Sequence, residues 1–145
     1  MNNLKLICLL FVSTSFFAIS SCEKTECCVI PAVAELHGNW RFVRVNYGFT
    51  NTSQTATELG YTERLEIDGT NERFRRYRDK KEIENTPFAL SEQGNSKVIT
   101  FEKEQNYSYY TVFIEDGKTM LSLYERSPVG AVLADGGMYY YEQTQ

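Results

Sequence analysis

Histidine and tryptophan are almost absent from this 145-residue sequence, which contains one of each, His37 and Trp40. No serine or cysteine in a nucleophile-elbow context accompanies His37. Phosphate-binding glycine loops and clusters at metal-ligand spacing are also missing, and no pair of acids stands out by its surroundings. We therefore expect a protein that is not an enzyme and that holds no cofactor or metal.

Long hydrophobic runs are equally scarce. The longest, residues 6–19, has about fourteen residues and is broken by the polar stretch 13–15, whereas a bilayer-spanning helix needs about twenty apolar residues. Lys5 precedes this run and small residues follow it. That order predicts a secretory signal peptide over residues 1–21.

The end of that run carries a second signal. Ile19-Ser20-Ser21-Cys22 resembles the lipobox of bacterial lipoproteins, in which the cysteine is lipidated and becomes the mature N-terminus. The resemblance implies acyl chains such as palmitate on Cys22, which would anchor the protein stably if two or more are attached. It also implies a bacterial cell-envelope location, on the outer membrane and facing either the periplasm or the exterior. The alternative is an ordinary secreted protein in which Cys22 is a plain thiol.

Two further cysteines, Cys27 and Cys28, lie in residues 22–30, which read as a lipid-anchored linker. Adjacent cysteines in an oxidising compartment can form a vicinal disulfide or pair with another chain. A redox role is the alternative, and no metal-ligand partners lie at zinc-site spacing.

Residues 31–145 have the length of one domain. Removing residues 1–21, whose only charged residue is Lys5, changes the formal net charge from −4 to −5. A negative domain in an extracytoplasmic compartment argues against a nucleic-acid partner.

Short β-type runs separated by turn signals dominate this domain. Tight turns are predicted at Asp68-Gly69 and Asp116-Gly117. An all-β fold is expected, an eight-stranded antiparallel up-and-down barrel, because closure hides both sheet edges. Pro87 predicts a bulge or break in the fourth run, or else an open sandwich. The eight runs are 39–47, 62–68, 72–79, 81–90, 96–102, 107–115, 118–125 and 138–143.

Gly38-Asn39-Trp40, at the opening of the first run, resembles the Gly-x-Trp signature of the lipocalins. The resemblance covers residues 30–143 and is strongest to the small lipocalin-like lipoproteins of Bacteroidota-type cell envelopes. It implies that Gly38 and Trp40 form the floor of a barrel, with Arg126 stacked on the tryptophan. These floor residues are expected to be structural.

Two connections are longer than simple hairpins. Residues 48–60 correspond in order to the loop that lids the mouth of lipocalins, and are expected to act as a gate or to form a disordered surface loop. Residues 127–137 hold an apolar group. They are expected to meet a protein partner or a membrane, to rim a pocket, or to pack on the barrel wall.

Side-chain alternation suggests which residues line the interior. Four arginines lie at 73–78 and divide between both faces, so Arg76 and Arg78 share a face with Phe74. Inward arginines need acidic partners or an anionic ligand. The alternative is a solvated face paired with Glu63, Glu66, Glu82 or Glu84. The residues that we expect to bind ligand are Phe74, Arg76, Arg78, Tyr107, Tyr109 and Phe113.

Two hypotheses about function follow. In the first, the barrel is a lipid-anchored binder of a small hydrophobic or amphipathic ligand, which can be anionic. In the second, the barrel is a plugged structural or interaction protein. A continuous cavity near the 48–60 connection separates the first from the second.

Overall fold

Ten strands and two short helices make up the part of the chain that the computed structural model describes, residues 31–131, 133 and 135–144. The helices are α1 (Pro31–Leu36) and α2 (Ala56–Leu59). The signal peptide, the linker and the three cysteines Cys22, Cys27 and Cys28 lie outside the described residues. The strands are β1 (Gly38–Tyr47), β2 (Thr52–Thr55), β3 (Glu63–Asp68), β4 (Arg73–Arg78), β5 (Lys81–Gln93), β6 (Ser96–Phe101), β7 (Asn106–Glu115), β8 (Lys118–Tyr124), β9 (Ser127–Pro128) and β10 (Gly137–Thr144).

Eight of these strands close into an antiparallel barrel. They pair in the order β1-β3-β4-β5-β6-β7-β8-β10, and β10 pairs back to β1 along most of its length. Closure satisfies the backbone groups that a sheet edge would expose. The predicted eight-stranded antiparallel barrel is therefore confirmed, and each predicted run overlaps one barrel strand.

Two additional strands occupy the connections that were predicted to be irregular. β2 pairs with the second half of β1, and β9 pairs with the start of β7. After β2, Thr55 caps α2 and exchanges hydrogen bonds with Glu58, and Gly60 ends the helix with φ 74°. A hairpin and a capped helical turn order most of residues 48–60, so the alternative of a disordered surface loop was wrong. That this connection acts as a gate stays a prediction.

The bulge predicted for the fourth run is present but lies at Ile83, and Pro87 itself does not interrupt β5. Pro87 lies where β5 stops pairing with β4 and starts pairing with β6, so no ladder hydrogen bond needs its missing N–H. The register shift lies earlier, between Glu82 and Glu84.

The two ends of the barrel differ. At one end, called the floor, α1 packs beside the start of β1, and the β3–β4, β5–β6 and β7–β8 turns lie at this end. The opposite end, called the mouth, carries the connections β1–β3, β4–β5, β6–β7 and β8–β10. Within the described residues, no helix has the length and apolar character needed to cross a bilayer.

The core fills the barrel between these ends. Alternate residues of the strands point inward, as the pleat requires, and fourteen buried side chains form one cluster. Its largest members are Trp40, Phe74, Phe88 and Phe101. Buried rings therefore fill much of the interior, and a ligand site inside the barrel has to lie beside them.

Candidate ligand-binding site

The inner face of β4 carries three of the residues that the sequence marked as ligand-binding. Phe74 is buried and lies opposite Ile67, while Arg76 lies opposite Leu65, so both point into the barrel. Arg78 shares that face and stacks over Tyr61, with 4.2 Å from the guanidinium carbon to the ring centroid. Two arginines of β4, Arg76 and Arg78, therefore point into the interior. The acidic side chains that they contact determine the electrostatics there.

Glu84 on β5 joins two of the interior arginines. Its side chain is only 7% exposed, and both of its oxygens accept hydrogen bonds from Arg126, one at 3.0 Å. Arg76 Nε lies 3.1 Å from Glu84 Oε2, but the N–H does not point at that oxygen, so this contact is an ion pair without a hydrogen bond. We call Arg76, Glu84 and Arg126 the arginine–glutamate cluster. It carries two positive charges and one negative charge.

Buried Glu63 on β3 forms a second ion pair, with the partly exposed Arg78. Its Oε2 accepts from Arg78 Nη2 at 2.9 Å, and its Oε1 accepts from the Tyr141 hydroxyl at 2.8 Å. The acids Glu63 and Glu84 were both named as partners of the arginines in the sequence. However, the pairs form inside the barrel and not on a solvated face.

Above the buried rings, these groups border a cavity of about 260 Å³, which we call the mouth cavity. Its volume lies slightly below the range of roughly 300 to 1,000 Å³ for small-molecule pockets, so only a small ligand would fit. Aromatic rings and one leucine supply the apolar wall, and the two arginines of the cluster supply the positive charge. The lining residues are Phe74, Arg76, Ser108, Leu123, Tyr124, Glu125, Arg126, Tyr139 and Tyr141.

Polar groups around the mouth cavity differ in whether they are already bonded. Glu125 Oε2 accepts from the Gly137 N–H at 2.8 Å, and the Ser108 hydroxyl donates to the Tyr124 carbonyl. In contrast, the Tyr139 hydroxyl has no hydrogen-bond partner within the described part of the chain. Tyr139 and Arg76 thus retain donors that a ligand could use.

Two tyrosines of the cavity, Tyr139 and Tyr141, stay neutral over a wide pH range. Burial raises the pKa of Tyr139 to about 12, and the charge of Glu125 adds to this effect. Burial and the neighbouring Glu63 carboxylate raise the pKa of Tyr141 well above its ordinary value. These hydroxyls therefore offer hydrogen bonds and not charge at physiological pH.

The floor contains the Gly-x-Trp triplet. Trp40 is fully buried, and its Nε1 donates to the Leu36 carbonyl of α1 at 2.8 Å. Gly38 has φ 137°, a conformation that side-chain-bearing residues rarely adopt. Next to the triplet, His37 Nδ1 accepts a hydrogen bond from the Gly69 N–H at 3.1 Å.

Arg126 does not stack on Trp40 as expected. Its guanidinium carbon lies 3.5 Å from the centroid of Phe101 and 5.2 Å from that of Phe74. The reason is its position after β8 at the mouth, away from the end where Trp40 meets α1. Buried Glu84 holds it there.

The remaining residues that were expected to bind ligand lie on the opposite face of β7 from the mouth cavity. Ser108 and Tyr110 point inward on this strand, so Tyr107, Tyr109 and Phe113 point outward. Tyr107 packs edge-on against Tyr109, and its hydroxyl donates to the Ala131 carbonyl at 2.7 Å. Both faces of β7 are apolar, so the sequence could not identify the inner one.

The 127–137 connection is pinned by its backbone while its apolar side chains face solvent. The Val129 N–H donates to Gln105, and the Leu133 carbonyl accepts from the Tyr124 hydroxyl at 3.1 Å. Val129 is nonetheless 64% exposed, and Leu133 is also exposed. Residues 132 and 134 lie outside the described residues.

Several cavity residues were missed in the sequence. Tyr139 and Tyr141 lie on the last strand, whose three consecutive tyrosines hide the inner face, and Ser108 and Leu123 are ordinary strand residues. The alternation of β10 next to the turn at Gly136-Gly137 was a usable signal for Tyr139 and Tyr141. For Glu84, the signal was its place opposite Arg76 on the next strand.

Other parts of the described chain offer weaker sites. A groove of about 470 Å³ lies on the outer face beside the exposed cations Arg41, Arg64 and Lys80, outside the barrel interior. Among the described residues, no three His, Cys, Asp or Glu side chains are grouped so that they could hold a metal ion. The mouth cavity is therefore the best candidate.

A comparison with protein-family models finds no match for this chain, and a comparison with curated proteins finds none either.

Proposed function

We propose that this chain is a lipid-anchored, lipocalin-like protein of the bacterial cell envelope, with up-and-down barrel topology, that binds a small amphipathic ligand in its mouth cavity without catalysing a reaction. The observation that carries the proposal is the cavity of about 260 Å³ inside the barrel, which combines aromatic walls with an arginine. Enclosed pockets with apolar walls and a few polar groups are typical of small-molecule sites.

Binding fits the cavity better than catalysis does. Two of its tyrosines, Tyr139 and Tyr141, have raised pKa values. Of the carboxylates beside it, Glu84 is hydrogen-bonded by Arg126 and Glu125 by the Gly137 N–H. His37 is at the floor, hydrogen-bonded to the Gly69 backbone. A general base poised near neutral pH is therefore missing from the described cavity wall.

The position of α1 supports the proposed anchor. The described chain begins at Pro31 beside the floor, so acyl chains on Cys22 would tether the barrel from that end. Ligand would enter at the mouth, where the 48–55 hairpin and the 127–137 connection lie. In this arrangement the anchor and the cavity are at opposite ends of the barrel.

A second candidate function is a protein-interaction barrel. Two exposed apolar side chains favour it, Phe49 at 83% exposure in the 48–55 hairpin and Val129 in the 127–137 connection. Both belong to mouth connections, so a partner that covered them would also cover the cavity.

Native mass spectrometry tests the binding proposal. The mature chain carrying Cys22→Ser, which keeps it soluble without acyl chains, is incubated with the small-molecule fraction of a cell-envelope extract. We expect a discrete added mass that Tyr139→Ala weakens and that Tyr140→Ala, on the outer face of the same strand, leaves in place. An unliganded mass at every extract concentration would contradict the proposal and favour the interaction barrel.

A further inference from the structure

Arg76 is the arginine of the barrel interior that forms no hydrogen bond with a carboxylate of the described chain. Three arginines enter the interior, Arg76, Arg78 and Arg126, and the carboxylates there are the buried Glu63 and Glu84 and the half-buried Glu125 of the cavity wall. Both buried carboxylates accept hydrogen bonds from the other two arginines: Glu63 accepts from Arg78, and both oxygens of Glu84 accept from Arg126.

The hydrogen-bonding capacity of Arg76 is unused. Its Nε is buried without a correctly oriented acceptor, and its terminal nitrogens donate to no acceptor among residues 31–131, 133 and 135–144. The side chain is 33% exposed, and it lines the mouth cavity. The buried Nε–H of Arg76 lacks an acceptor, so a ligand that accepts hydrogen bonds from this guanidinium gains binding free energy.

From this geometry, and resting on the proposed function, we infer that the ligand is a small carboxylate whose head group lies against the free edge of Arg76. A planar carboxylate matches the planar guanidinium and can accept two parallel hydrogen bonds. Phe74 and Leu123 in the cavity wall would contact the apolar body of the ligand.

Glu125 limits the negative charge of the anion that the cavity can bind. Its carboxylate also lines the cavity, where it accepts from the Gly137 N–H. A head group with a single negative charge can accept hydrogen bonds from Arg76. A second charge would add repulsion from Glu125, which favours a carboxylate over a doubly charged phosphate.

The cluster also explains how Arg76 is held in place. Arg126 fixes Glu84 by two hydrogen bonds, and Glu84 in turn attracts Arg76 Nε. Replacing Arg76 leaves the Arg126–Glu84 pair complete. Arg76→Met, which preserves much of the side-chain length, therefore removes the free donors without leaving a carboxylate unpaired.

Isothermal titration calorimetry on the mature Cys22→Ser chain tests the inference with three probes of similar shape: 3-phenylpropionate, its neutral amide 3-phenylpropanamide, and phenyl phosphate. We expect the carboxylate to bind at least tenfold more tightly than the amide. Arg76→Met should abolish this difference. The matched control Arg75→Met loses the same charge from the outer face of the strand. It should retain the difference in affinity between the carboxylate and the amide.

The outcomes separate this inference from the proposed function. Equal affinity for the carboxylate and the amide would overturn the inference that the ligand is a carboxylate. The proposal that the barrel binds a ligand would stand. Tighter binding of phenyl phosphate would overturn the choice of head group. If no probe binds while the envelope extract supplies a bound mass, the carboxylate inference fails and the binding proposal stands; if neither binds, both fail. A circular-dichroism melt of each variant verifies that it is folded.

Discussion

Arg126 and Glu84 form a two-point ion pair inside the barrel, with one hydrogen bond at 3.0 Å between Nη2 and Oε2. The pair ties the segment after β8 to β5 across the interior, and the guanidinium covers the ring of Phe101. The same contact leaves Arg76 without an acceptor, so one structural ion pair both closes the wall of the mouth cavity and gives it a positive charge.

The first prediction concerns this pair. Glu84→Gln removes the charge that two buried arginines share, and we expect a loss of about 3 kcal/mol in the free energy of unfolding. Urea denaturation followed by circular dichroism measures it. Glu82→Gln, an exposed carboxylate on the same strand, should cost less than about 1 kcal/mol. Equal losses in the two variants would show that the cluster is not a stabilising unit.

The second prediction concerns the packing of α1 on the floor. A Cβ at Gly69 would lie 2.3 Å from Val33 Cγ1, so Gly69→Ala should destabilise the protein by about 1 to 3 kcal/mol. In a Val33→Ala background most of that loss should vanish, although the Val33 carbonyl at 3.2 Å leaves a residual contact. A double-mutant cycle measured in urea gives the coupling. A coupling near zero would mean that α1 does not pack against the β3–β4 turn.

The third prediction uses Trp40 as a reporter of the floor. Because this single tryptophan is fully buried, its emission in the folded protein should be blue-shifted and poorly quenched by acrylamide. Trp40→Phe removes the hydrogen bond to Leu36 and leaves a void, which should cost about 1 to 3 kcal/mol. Emission at the wavelength of free tryptophan under native conditions would contradict the burial of this residue.

The fourth prediction is a loss of stability at alkaline pH. The pKa of Tyr139 is about 12 in the folded protein, above the ordinary value of 10.0, so the folded state keeps a proton that the unfolded chain releases. Its contribution is therefore complete below about pH 10 and is lost as the pH rises toward 12. Tyr139→Phe should make the decline of unfolding free energy between pH 9 and 11 less steep. Tyr140→Phe, on the outer face, serves as the control, and identical slopes in both variants would contradict the assignment.

The sequence predicts the barrel well because its information is local. Each barrel strand is a short β-type run, and turn residues such as Asp116-Gly117 separate the runs, so strand number and order follow. The sheet order of eight sequential strands then leaves closure as the way to remove edges. The threonine-rich β2 and its capped helical turn were missed, although Thr55 and Glu58 have the spacing of a capping box.

The mouth cavity was harder to predict because it depends on which face of each strand points inward. For β4, each face carries two arginines and one aromatic residue, so composition alone does not distinguish the faces, and the structure places Phe74 and Arg76 on the inner one. For β7, aromatic residues occupy both faces, so Tyr107 and Tyr109 were assigned to the wrong side of the sheet. Glu84, the partner of Arg126, is 42 residues away in the chain, and only the folded barrel brings the two side chains together.

The central claim, that the mouth cavity receives a ligand, is tested most directly by methyl NMR of the mature Cys22→Ser chain with labelled leucines. Leu123 lines the mouth cavity, whereas Leu36 is buried at the floor beside Trp40. On titration with the small-molecule fraction of envelope extract, the Leu123 methyl signals should shift and saturate while those of Leu36 stay in place. Unchanged Leu123 signals, at extract concentrations where other surface signals move, would contradict the claim.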